Sequence, residues 1–236
     1  MRQRNIKNLK ERLMENSRFL VEDPRAMRGR WREAFTGDDQ SADMVDGQRA
    51  EIAGGSGRRP LYLEIGCGKG KYILTRAEWE PDACFLAVEG QESVILRAME
   101  KAEAAERSNL RLFIDYVKDL RDYFQEGELD GIYLNFSDPW PKARHDKRRL
   151  TYHKRLDNYF QVLGPDGFVE FKTDNDSLYD FTLQEIGLAG LEIAEETRDL
   201  HGSDFESRLV TTEYEDKFRA AGKNINYVKI KRKSSL

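Results

Sequence analysis

Short apolar runs alternate with segments of helical periodicity along most of the chain. The apolar runs are rich in β-branched and aromatic residues and predict seven strands, at 61–66, 85–89, 110–114, 131–136, 168–174, 191–200 and 224–233. Apolar residues three and four positions apart predict helices between these strands, at 71–79, 92–107, 119–124, 151–163, 177–190 and 212–222. The Gly-Pro-Asp-Gly segment at 164–167 predicts a turn.

This alternation predicts an α/β fold with a doubly wound, mostly parallel seven-stranded sheet and helices on both faces. The last two strands are joined by a loop and a short helix, so they need not be parallel. The sheet domain is expected to span 59–236. Residues 1–36 are predicted to be a basic N-terminal arm, and 37–58 an acidic, Gly-rich, flexible linker. The arm has too few apolar residues to fold alone, so we expect disorder over 1–32 in the free protein.

The 236 residues carry a formal net charge of −4 that is unevenly distributed. Basic residues dominate three stretches: 1–32, with ten Lys or Arg against four acids, 142–155, with seven against one, and 217–236, with seven against none. A mostly acidic body with such stretches indicates a focused site for a polyanion. Basic tails that serve only solubility are the alternative for the two termini.

Several classes of protein are excluded by the same sequence. No apolar run approaches the roughly 18 residues of a membrane-spanning helix, and the N-terminus lacks the apolar core of a secretory signal. Two cysteines cannot form a disulfide framework. The three histidines are not paired with cysteines at metal-ligand spacing. We therefore expect a cytoplasmic protein, monomeric or homodimeric, with no membrane partner and no metal.

A glycine-rich turn follows the first predicted strand in the segment LEIGCGKG. Gly66, Gly68 and Gly70 would let a ligand approach the backbone where the next helix begins. The dinucleotide fingerprint needs a glycine at its sixth place, where this chain has Lys71. Glu64, two residues before the first glycine, disfavours a pyrophosphate and suits a cationic ligand such as S-adenosylmethionine. A plain tight turn is the alternative.

Acidic residues end three successive predicted strands at the same edge of the sheet. Glu89 ends the second strand, about where nucleoside-binding α/β proteins place the acid that accepts the ribose hydroxyls. Asp115 follows the third strand and could reach an adenine amino group, and Asp138 follows the fourth. Glu89 could instead cap the next helix. Together Glu64, Glu89 and Asp115, on the first three predicted strands and beside the glycine turn, predict an adenosyl group at the carboxyl edge.

The segment NFSDPWPKARHDKRRLT after the fourth strand is the most informative part of the chain. Two prolines stiffen it and remove backbone donors, so that it presents Asp138 and Trp140. The tryptophan could stack on a base or anchor the loop in the core. Basic side chains that could neutralise phosphates or stack on RNA bases follow: Arg144, His145, Lys147, Arg148 and Arg149. An ordinary solvated loop is the alternative.

Two further motifs could serve either structure or substrate binding. FKTDN ends the fifth strand, and its Asp174, or the following Asp176, could cap the next helix. TEYE could be a capping box with Thr211 or Thr212 as the cap and Glu215 as its partner. Cys67 could be an activated thiol at a helix start, but a small residue that fits the turn is the favoured interpretation.

The four motifs together resemble the bacterial tRNA (guanine-N7-)-methyltransferase family over residues 60–233. The resemblance implies a class I Rossmann-like methyltransferase that uses S-adenosylmethionine to methylate a guanosine in the variable loop of tRNA. It implies that the cofactor site contains Glu64, Gly66, Gly68, Gly70, Glu89, Asp115 and Asp138. It implies that the substrate is faced by Lys142, Asp174, Thr212, Glu213, Tyr214 and Glu215, and that RNA is contacted by 144–149.

Methylation at N7 needs no base at the attacking atom, because guanine N7 has an in-plane lone pair and no proton. The enzyme's task is positioning and electrostatic stabilisation of a cationic product. Asp138 is the catalytic candidate, as a carboxylate that orients the base. Two other functions stay open on the sequence: methylation of an exocyclic amino group, and a non-catalytic RNA-binding module on a Rossmann scaffold.

Overall fold

A computed structural model describes residues 6–36 and 58–233 of the chain. Its strands are β1 Leu61–Ile65, β2 Cys84–Glu89, β3 Leu110–Ile114, β4 Leu129–Asn135, β5 Leu163–Thr173, β6 Glu192–Thr197 and β7 Asn226–Lys231. Its α-helices are α1 Leu9–Glu15, α2 Lys71–Trp79, α3 Glu92–Ala104, α4 His153–Val162, α5 Asp176–Leu188 and α6 Glu213–Ala220. The predicted strands are therefore confirmed. The predicted helices are too, except 119–124, where the helix is a 3₁₀ turn at Leu120–Asp122.

The strands form one seven-stranded sheet in the order β3-β2-β1-β4-β5-β7-β6. Neighbouring strands from β3 to β5 are parallel. Strand β7 runs antiparallel to both β5 and β6, which confirms a mostly parallel sheet. The carboxyl ends of β1, β2, β3, β4 and β5 meet at one edge, and this edge is where the predicted site residues follow the strands.

Helices cover both faces of the sheet, because successive side chains of each central strand point to opposite sides. Leu63 and Leu86 pack in the cluster that also contains Leu156 and Leu178 of α4 and α5. Phe85 packs in the opposite cluster, which contains residues of α2 and α3. Strands buried on both faces read as continuous apolar runs, which is the pattern that the sequence shows.

The N-terminal arm packs onto the sheet domain over its described residues, so the expectation of disorder over 1–32 is wrong there. Phe19, Trp31 and Phe35 are fully or almost fully buried. The indole Nε1 of Trp31 donates to the carbonyl of Tyr123 at 2.8 Å. Burying a large apolar side chain stabilises by roughly 1.5–3 kcal/mol. The arm cannot fold alone, but it does not need to, because its few aromatic residues enter the core of the domain.

Part of the basic charge of the arm is used within the protein. Arg32 forms an ion pair with Asp130 at 3.0 Å, and Arg12 forms one with Glu100. Gly29 and Trp31 donate their backbone N–H groups to Glu128. The arm is therefore a brace along the domain rather than a free polyelectrolyte. The predicted linker lies outside the described residues, apart from its last position.

The predicted turn at 164–167 is wrong in its context, because these residues lie inside β5. Leu163 pairs with Leu129 and Phe168 with Gly131, so four residues of β5 stand opposite a single residue of β4. The glycines at 164 and 167 come together, since a Cβ on Gly167 would lie 3.0 Å from the carbonyl oxygen of Gly164. The segment is a special bulge, larger than the two-against-one type, at the amino edge of the sheet.

Candidate active site

The glycine turn, which we define as residues 66–70, joins β1 to α2 at the carboxyl edge. Gly66 and Gly68 have φ values of 78° and 58°, a left-handed conformation that residues with a Cβ rarely adopt. A Cβ on either residue would meet no atom within 4 Å, so this side of the turn faces open space. At Gly70 a Cβ would lie 2.7 Å from that of Ala98. The turn thus has close helix packing behind it and free room in front.

Glu64 lies at the base of the glycine turn and is only 1% exposed. Its Oε1 accepts a hydrogen bond from Asn135 Nδ2 at 2.8 Å. Its Oε2 is buried and forms no hydrogen bond of normal geometry with the described residues, although the backbone N–H of Ile73 lies close enough to lower the pKa of the carboxyl. Burial raises the pKa of Glu64 to about 7, against the effect of the Asn135 hydrogen bond. A buried carboxylate with one unpaired oxygen is a site for a cationic donor such as an ammonium group.

Glu89 and Asp115 end their strands at the same edge, as the sequence predicts. Glu89 Oε2 accepts from the backbone N–H of Gly68 at 3.2 Å, and Oε1 accepts from that of Gln91 at 3.1 Å. The carboxylate therefore braces the glycine turn and the start of α3. Asp115 Oδ2 accepts from the Tyr123 hydroxyl at 2.6 Å. Cofactor contacts of Glu89 and Asp115 stay predictions.

Cys67 is buried in the glycine turn. Burial raises the pKa of its thiol well above the usual value, so the thiolate is disfavoured at neutral pH. These observations agree with the interpretation of Cys67 as a small residue that fits the turn.

The segment between β4 and the following basic residues has an unusual backbone. We call residues 136–141 the Asp138 loop. Phe136 and Trp140 have φ values of 52° and 42°, which cost aromatic residues roughly 1–3 kcal/mol each. The N–H of Phe136 donates to the carbonyl of Lys172 at 2.9 Å. The Asp138 side chain lies between the two strained positions and is exposed.

Arg149 holds the Asp138 loop in this conformation. Its Nε donates to the carbonyl of Pro139 at 3.0 Å, and its Nη2 donates to that of Trp140 at 3.1 Å. Nη1 pairs with Asp146 at 3.0 Å, and the guanidinium lies 4.2 Å from the ring centre of Phe181. The side chain is only 12% exposed. These contacts use the donors of Arg149 within the protein, so the structure gives the side chain a role in holding the loop, and its contact with RNA stays a prediction.

The neighbouring basic residues differ from Arg149 in their exposure. Arg148 lies 4.8 Å from the ring centre of Trp140, and the His145 ring meets the tryptophan edge-on at 5.6 Å. Trp140 is half-buried between them, neither in the core nor free. The exposed cations of this stretch are Lys142, Arg144, Lys147 and Arg148. Arg144, Lys147 and Arg148 are the part of the predicted RNA-binding set that can reach an external polyanion, and Lys142 belongs to the predicted substrate side.

A buried ion cluster anchors the segment that contains TEYE. Lys172 is fully buried and donates to the carbonyls of Ser207 and Val210. Its Nζ lies 3.7 Å from Glu215 Oε2, and His201 Nε2 lies 2.8 Å from Oε1 of the same carboxylate. Burial lowers the pKa of the Lys172 ammonium, and the coulombic attraction of Glu215 opposes this shift. Glu215 is fully buried as well.

Thr212 and Glu215 form the capping box that the sequence offers as one interpretation. The Thr212 hydroxyl accepts from the Glu215 N–H at 2.9 Å, and the Glu215 carboxylate accepts from the Thr212 N–H at 3.3 Å. The box accounts for both residues without a ligand. The Tyr214 side chain is exposed. Substrate contacts of Thr212, Tyr214 and Glu215 stay predictions.

Ionic contacts attach the start of α6 to the glycine turn. Lys71 donates to the Thr211 hydroxyl at 2.9 Å and pairs with Asp216. Lys101 donates to Glu213 at 2.7 Å and to the carbonyl of Lys69 at 2.9 Å. The Glu213 carboxylate thus lies near the turn, and its charge raises the pKa of Glu64 further. Two distant motifs are thereby brought to one site.

Asp174 follows β5 and pairs with Lys223 at 3.0 Å. The expectation that Asp174 or Asp176 caps α5 is wrong. The cap is Asn175, whose Oδ1 accepts from the N–H of Leu178 at 2.8 Å. This arrangement leaves Asp174 outside the helix, on the same edge as Asp138.

Comparison with known proteins identifies the family. A family model described as "Putative methyltransferase" matches residues 58–228. The tRNA (guanine-N(7)-)-methyltransferase of Geobacillus thermodenitrificans (strain NG80-2) is 40% identical over 225 residues, which are 95% of this chain and 94% of that protein. The protein of the same name from Lactococcus lactis subsp. cremoris (strain MG1363) is 39% identical over 95% of each chain. The chain belongs to the bacterial tRNA (guanine-N7-)-methyltransferase family.

Solved structures place this tRNA (guanine-N7-)-methyltransferase family member in the predicted fold class. The 16S rRNA methyltransferase KamB has a TM-score of 0.54 at 13% identity and covers 73% of this chain and 87% of its own. The antibiotic-resistance methyltransferase Kmr has a TM-score of 0.52 at 15% identity, over 77% of this chain and 90% of its own. The class I Rossmann-like methyltransferase fold is confirmed.

Some site residues of this family member have no signal in a single sequence. Lys101 joins the glycine turn to α6, yet it is an ordinary lysine in its local context, and neither the fingerprint position of Lys71 nor the motif that contains Lys172 indicates their contacts with the α6 segment. Within 6–36 and 58–233, no group of His, Cys, Asp or Glu side chains is arranged to hold a metal ion. Over the same residues, no helix has the length and apolar character needed to cross a membrane.

Proposed function

We propose that the protein transfers a methyl group from S-adenosylmethionine to N7 of a guanosine in the variable loop of tRNA. The observation that carries this proposal is the buried Glu64 carboxylate, with its unpaired oxygen, beside an open glycine turn. The strained Asp138 loop lies at the same edge of the sheet, one strand away. Membership of the family supports the target atom and the substrate class.

The residues around the glycine turn fit this cofactor. The unpaired Oε2 of Glu64 is suited to the ammonium of the methionine moiety, and the open face of Gly66 and Gly68 gives room for close approach. Glu89 is assigned to the ribose hydroxyls and Asp115 to the adenine amino group. When bound, S-adenosylmethionine supplies an electrophilic methyl group on a sulfonium. A carboxylate next to the turn would repel the phosphates of a dinucleotide, which argues against nicotinamide chemistry.

Asp138 is assigned to orienting the guanine. Its carboxylate can accept hydrogen bonds from the N1–H and the amino group of the base, which turns the N7 lone pair toward the methyl group. Because N7 carries no proton, no residue has to act as a general base at the attacking atom. The methylated purine is cationic, so a carboxylate held nearby also stabilises the charge that develops. Lys142 and Asp174 complete the proposed substrate side.

The exposed cations of the basic stretch are assigned to the tRNA backbone. Of the predicted RNA-binding residues, Arg144, Lys147 and Arg148 can each neutralise a phosphate, so affinity should fall steeply with salt. The His145 ring meets Trp140 edge-on, and His145 is assigned to shaping this surface.

A single experiment tests the reaction, the cofactor and the substrate class together. The purified protein is incubated with unmodified tRNA and methyl-labelled S-adenosylmethionine, and the nucleosides are analysed. Label in 7-methylguanosine is the expected result. Label in an N-methylated exocyclic amino group would move the target atom. Salt-sensitive tRNA binding without any label would instead favour a non-catalytic RNA-binding module.

A further inference from the structure

A cavity of about 430 Å³ opens next to Asp174 at the carboxyl edge, on the β5-β7-β6 side of the sheet. It is lined by Asp176, Arg198, Gly222, Lys223, Asn224 and Asn226. Asn226 begins β7 and pairs with Thr173, the last residue of β5. The cavity therefore continues the edge that carries the proposed substrate residues, on the side away from the glycine turn.

The wall of this cavity contains an unsatisfied buried acceptor. Asn226 is only 2% exposed, and its Nδ2 donates to Asp176 Oδ1 at 2.8 Å. Its Oδ1 is buried and has no hydrogen-bond partner among the described residues. Buried amide oxygens almost always have a donor, so this one calls for an N–H group from a ligand. The edge of a nucleobase presents such donors.

Two exposed cations stand at the cavity. The side chains of Arg198 and Lys223 are 56% and 46% exposed. Each forms one ion pair at the surface, Arg198 with Asp180 and Lys223 with Asp174. Exposed ion pairs contribute little stability, so both cations can turn toward a phosphate at small cost. The cavity thus offers a base acceptor inside and phosphate donors outside.

We propose that this cavity binds a nucleotide that directly adjoins the target guanosine in tRNA. The Asn226 amide oxygen accepts from an N–H group of its base, and Arg198 and Lys223 contact the flanking phosphates. The inference rests on the proposed function, because it requires the target base to lie near Asp174. The contact between Lys223 and Asp174 joins the two positions. The tRNA would then be held on both sides of the reacting base.

The phosphate contact is tested with Arg198→Gln and steady-state methylation of unmodified tRNA at several salt concentrations. We expect KM for tRNA to rise about threefold to tenfold, with a salt slope smaller by roughly 0.7–0.9. The value of kcat and the affinity for S-adenosylmethionine should not change. Arg58→Gln is the matched control, since Arg58 is also a partly exposed arginine that pairs with one acid, Asp130. It lies at the opposite edge of the sheet and should leave KM and slope unchanged.

The base contact is tested with tRNA transcripts that lack one base, on the 5′ or the 3′ side of the target guanosine. One of the two abasic transcripts should raise KM of the wild-type protein about twofold to tenfold, the range for one hydrogen bond. In Asn226→Ala the same abasic transcript should raise KM no further, because the contact is already lost. Thermal melting checks that this variant is folded, and Arg198→Gln tests the proposal independently if it is not.

Three results would overturn the subsite. They are an unchanged KM and salt slope in Arg198→Gln, abasic transcripts that behave like intact tRNA, and effects of Asn226→Ala and of the abasic site that multiply. A loss of kcat at constant KM in Arg198→Gln would also contradict it. If the wild-type protein methylates no guanosine at N7, the proposed function fails and the subsite falls with it. If the wild-type protein methylates tRNA and KM is unchanged in Arg198→Gln and Asn226→Ala, only the proposed subsite is wrong.

Discussion

The glycine turn and the Asp138 loop lie one strand apart at the same edge but are built in opposite ways. In the glycine turn, positive φ values occur at glycines, which adopt them without steric cost. In the Asp138 loop, positive φ values occur at Phe136 and Trp140, where they store strain. The turn therefore adopts its conformation without strain, whereas the strained loop depends on contacts that offset the strain.

The two regions also differ in where their supporting contacts come from. The glycine turn is braced by Glu89, which follows the adjacent strand. The Asp138 loop is held by Arg149, which donates to two of its carbonyls, and by the carbonyl of Lys172 on β5. A relaxed turn suits a cofactor that every turnover replaces. A strained, clamped loop suits a carboxylate that must be fixed before a flexible RNA arrives.

Replacing Asp138 should give the largest effect, because its position is what the strained loop provides. We expect Asp138→Ala to lower kcat about 100- to 1,000-fold, the range for removal of one preorganised electrostatic contact. The affinity for tRNA and the melting temperature should stay near those of the wild type, since the side chain is exposed. Steady-state methylation and tRNA titration measure both. A large loss of tRNA binding would contradict the catalytic assignment.

Replacing Glu64 tests the cofactor side of the comparison. Glu64→Gln keeps the shape and the acceptor for Asn135 but removes the charge. We expect affinity for S-adenosylmethionine at pH 8 to fall about tenfold to 100-fold, in line with a hydrogen bond to a charged group. In the wild type, affinity should rise from pH 6 to pH 8 as the free carboxyl ionises near its pKa of about 7. If calorimetry shows that the affinity of the wild type for S-adenosylmethionine does not change with pH, the ammonium group does not bind at Glu64.

The raised pKa of Glu64 also makes the stability of the cofactor-free protein depend on pH. The unfolded chain loses the Glu64 proton near pH 4.5, whereas the folded protein keeps it to about pH 7. The folded state therefore binds more protons in this window, so the Glu64 contribution to stability falls as pH rises through it. The unfolding free energy of the wild type, relative to that of Glu64→Gln, should therefore be lower at pH 8 than at pH 5. Denaturant titrations at the two pH values measure this difference.

Variants of Arg149 and Arg148 distinguish support of the Asp138 loop from contact with RNA. Arg149→Lys keeps the charge but loses the two-carbonyl geometry, so we expect kcat to fall about tenfold with KM for tRNA and its salt dependence unchanged. Arg148→Gln should do the reverse, raising KM and lowering the salt slope by roughly 0.7–0.9 at constant kcat. Equal behaviour of the two variants in methylation assays over a salt series would show that the distinction is wrong.

The sequence predicts the cofactor side better than the substrate side, because the two sides depend differently on contacts between distant residues. Gly66, Gly68 and Glu64 act where they stand in the chain, so spacing and residue type reveal them. Arg149 looks like any other residue of a basic run, and only its folded contacts show that it serves the loop. Lys172 lies in the FKTDN motif, but its burial and its partners cannot be predicted from the motif, because those partners follow it by more than 30 residues.

The N-terminal arm shows the same limit for the fold. Its low apolar content predicts that it cannot form a core alone, whereas in the structure Trp31 and Phe35 complete a core made by other elements. Local propensity predicts what a segment can do alone, and docking depends on the surface that receives it. The strands of the central sheet were predictable because continuous apolar runs between helices have few other solutions.

The capping box at Thr212 should give the smallest effect. Thr212→Ala removes the acceptor of the Glu215 N–H, which costs about 1 kcal/mol and should lower the melting temperature by roughly 2–4 °C. Thr212→Ser keeps the acceptor and should melt like the wild type. If kcat of Thr212→Ala follows its stability and Thr212→Ser is fully active, the residue acts as a cap. A loss of kcat at an unchanged melting temperature would instead put the Thr212 side chain on the substrate, and would make this motif resemble the Asp138 loop rather than the glycine turn.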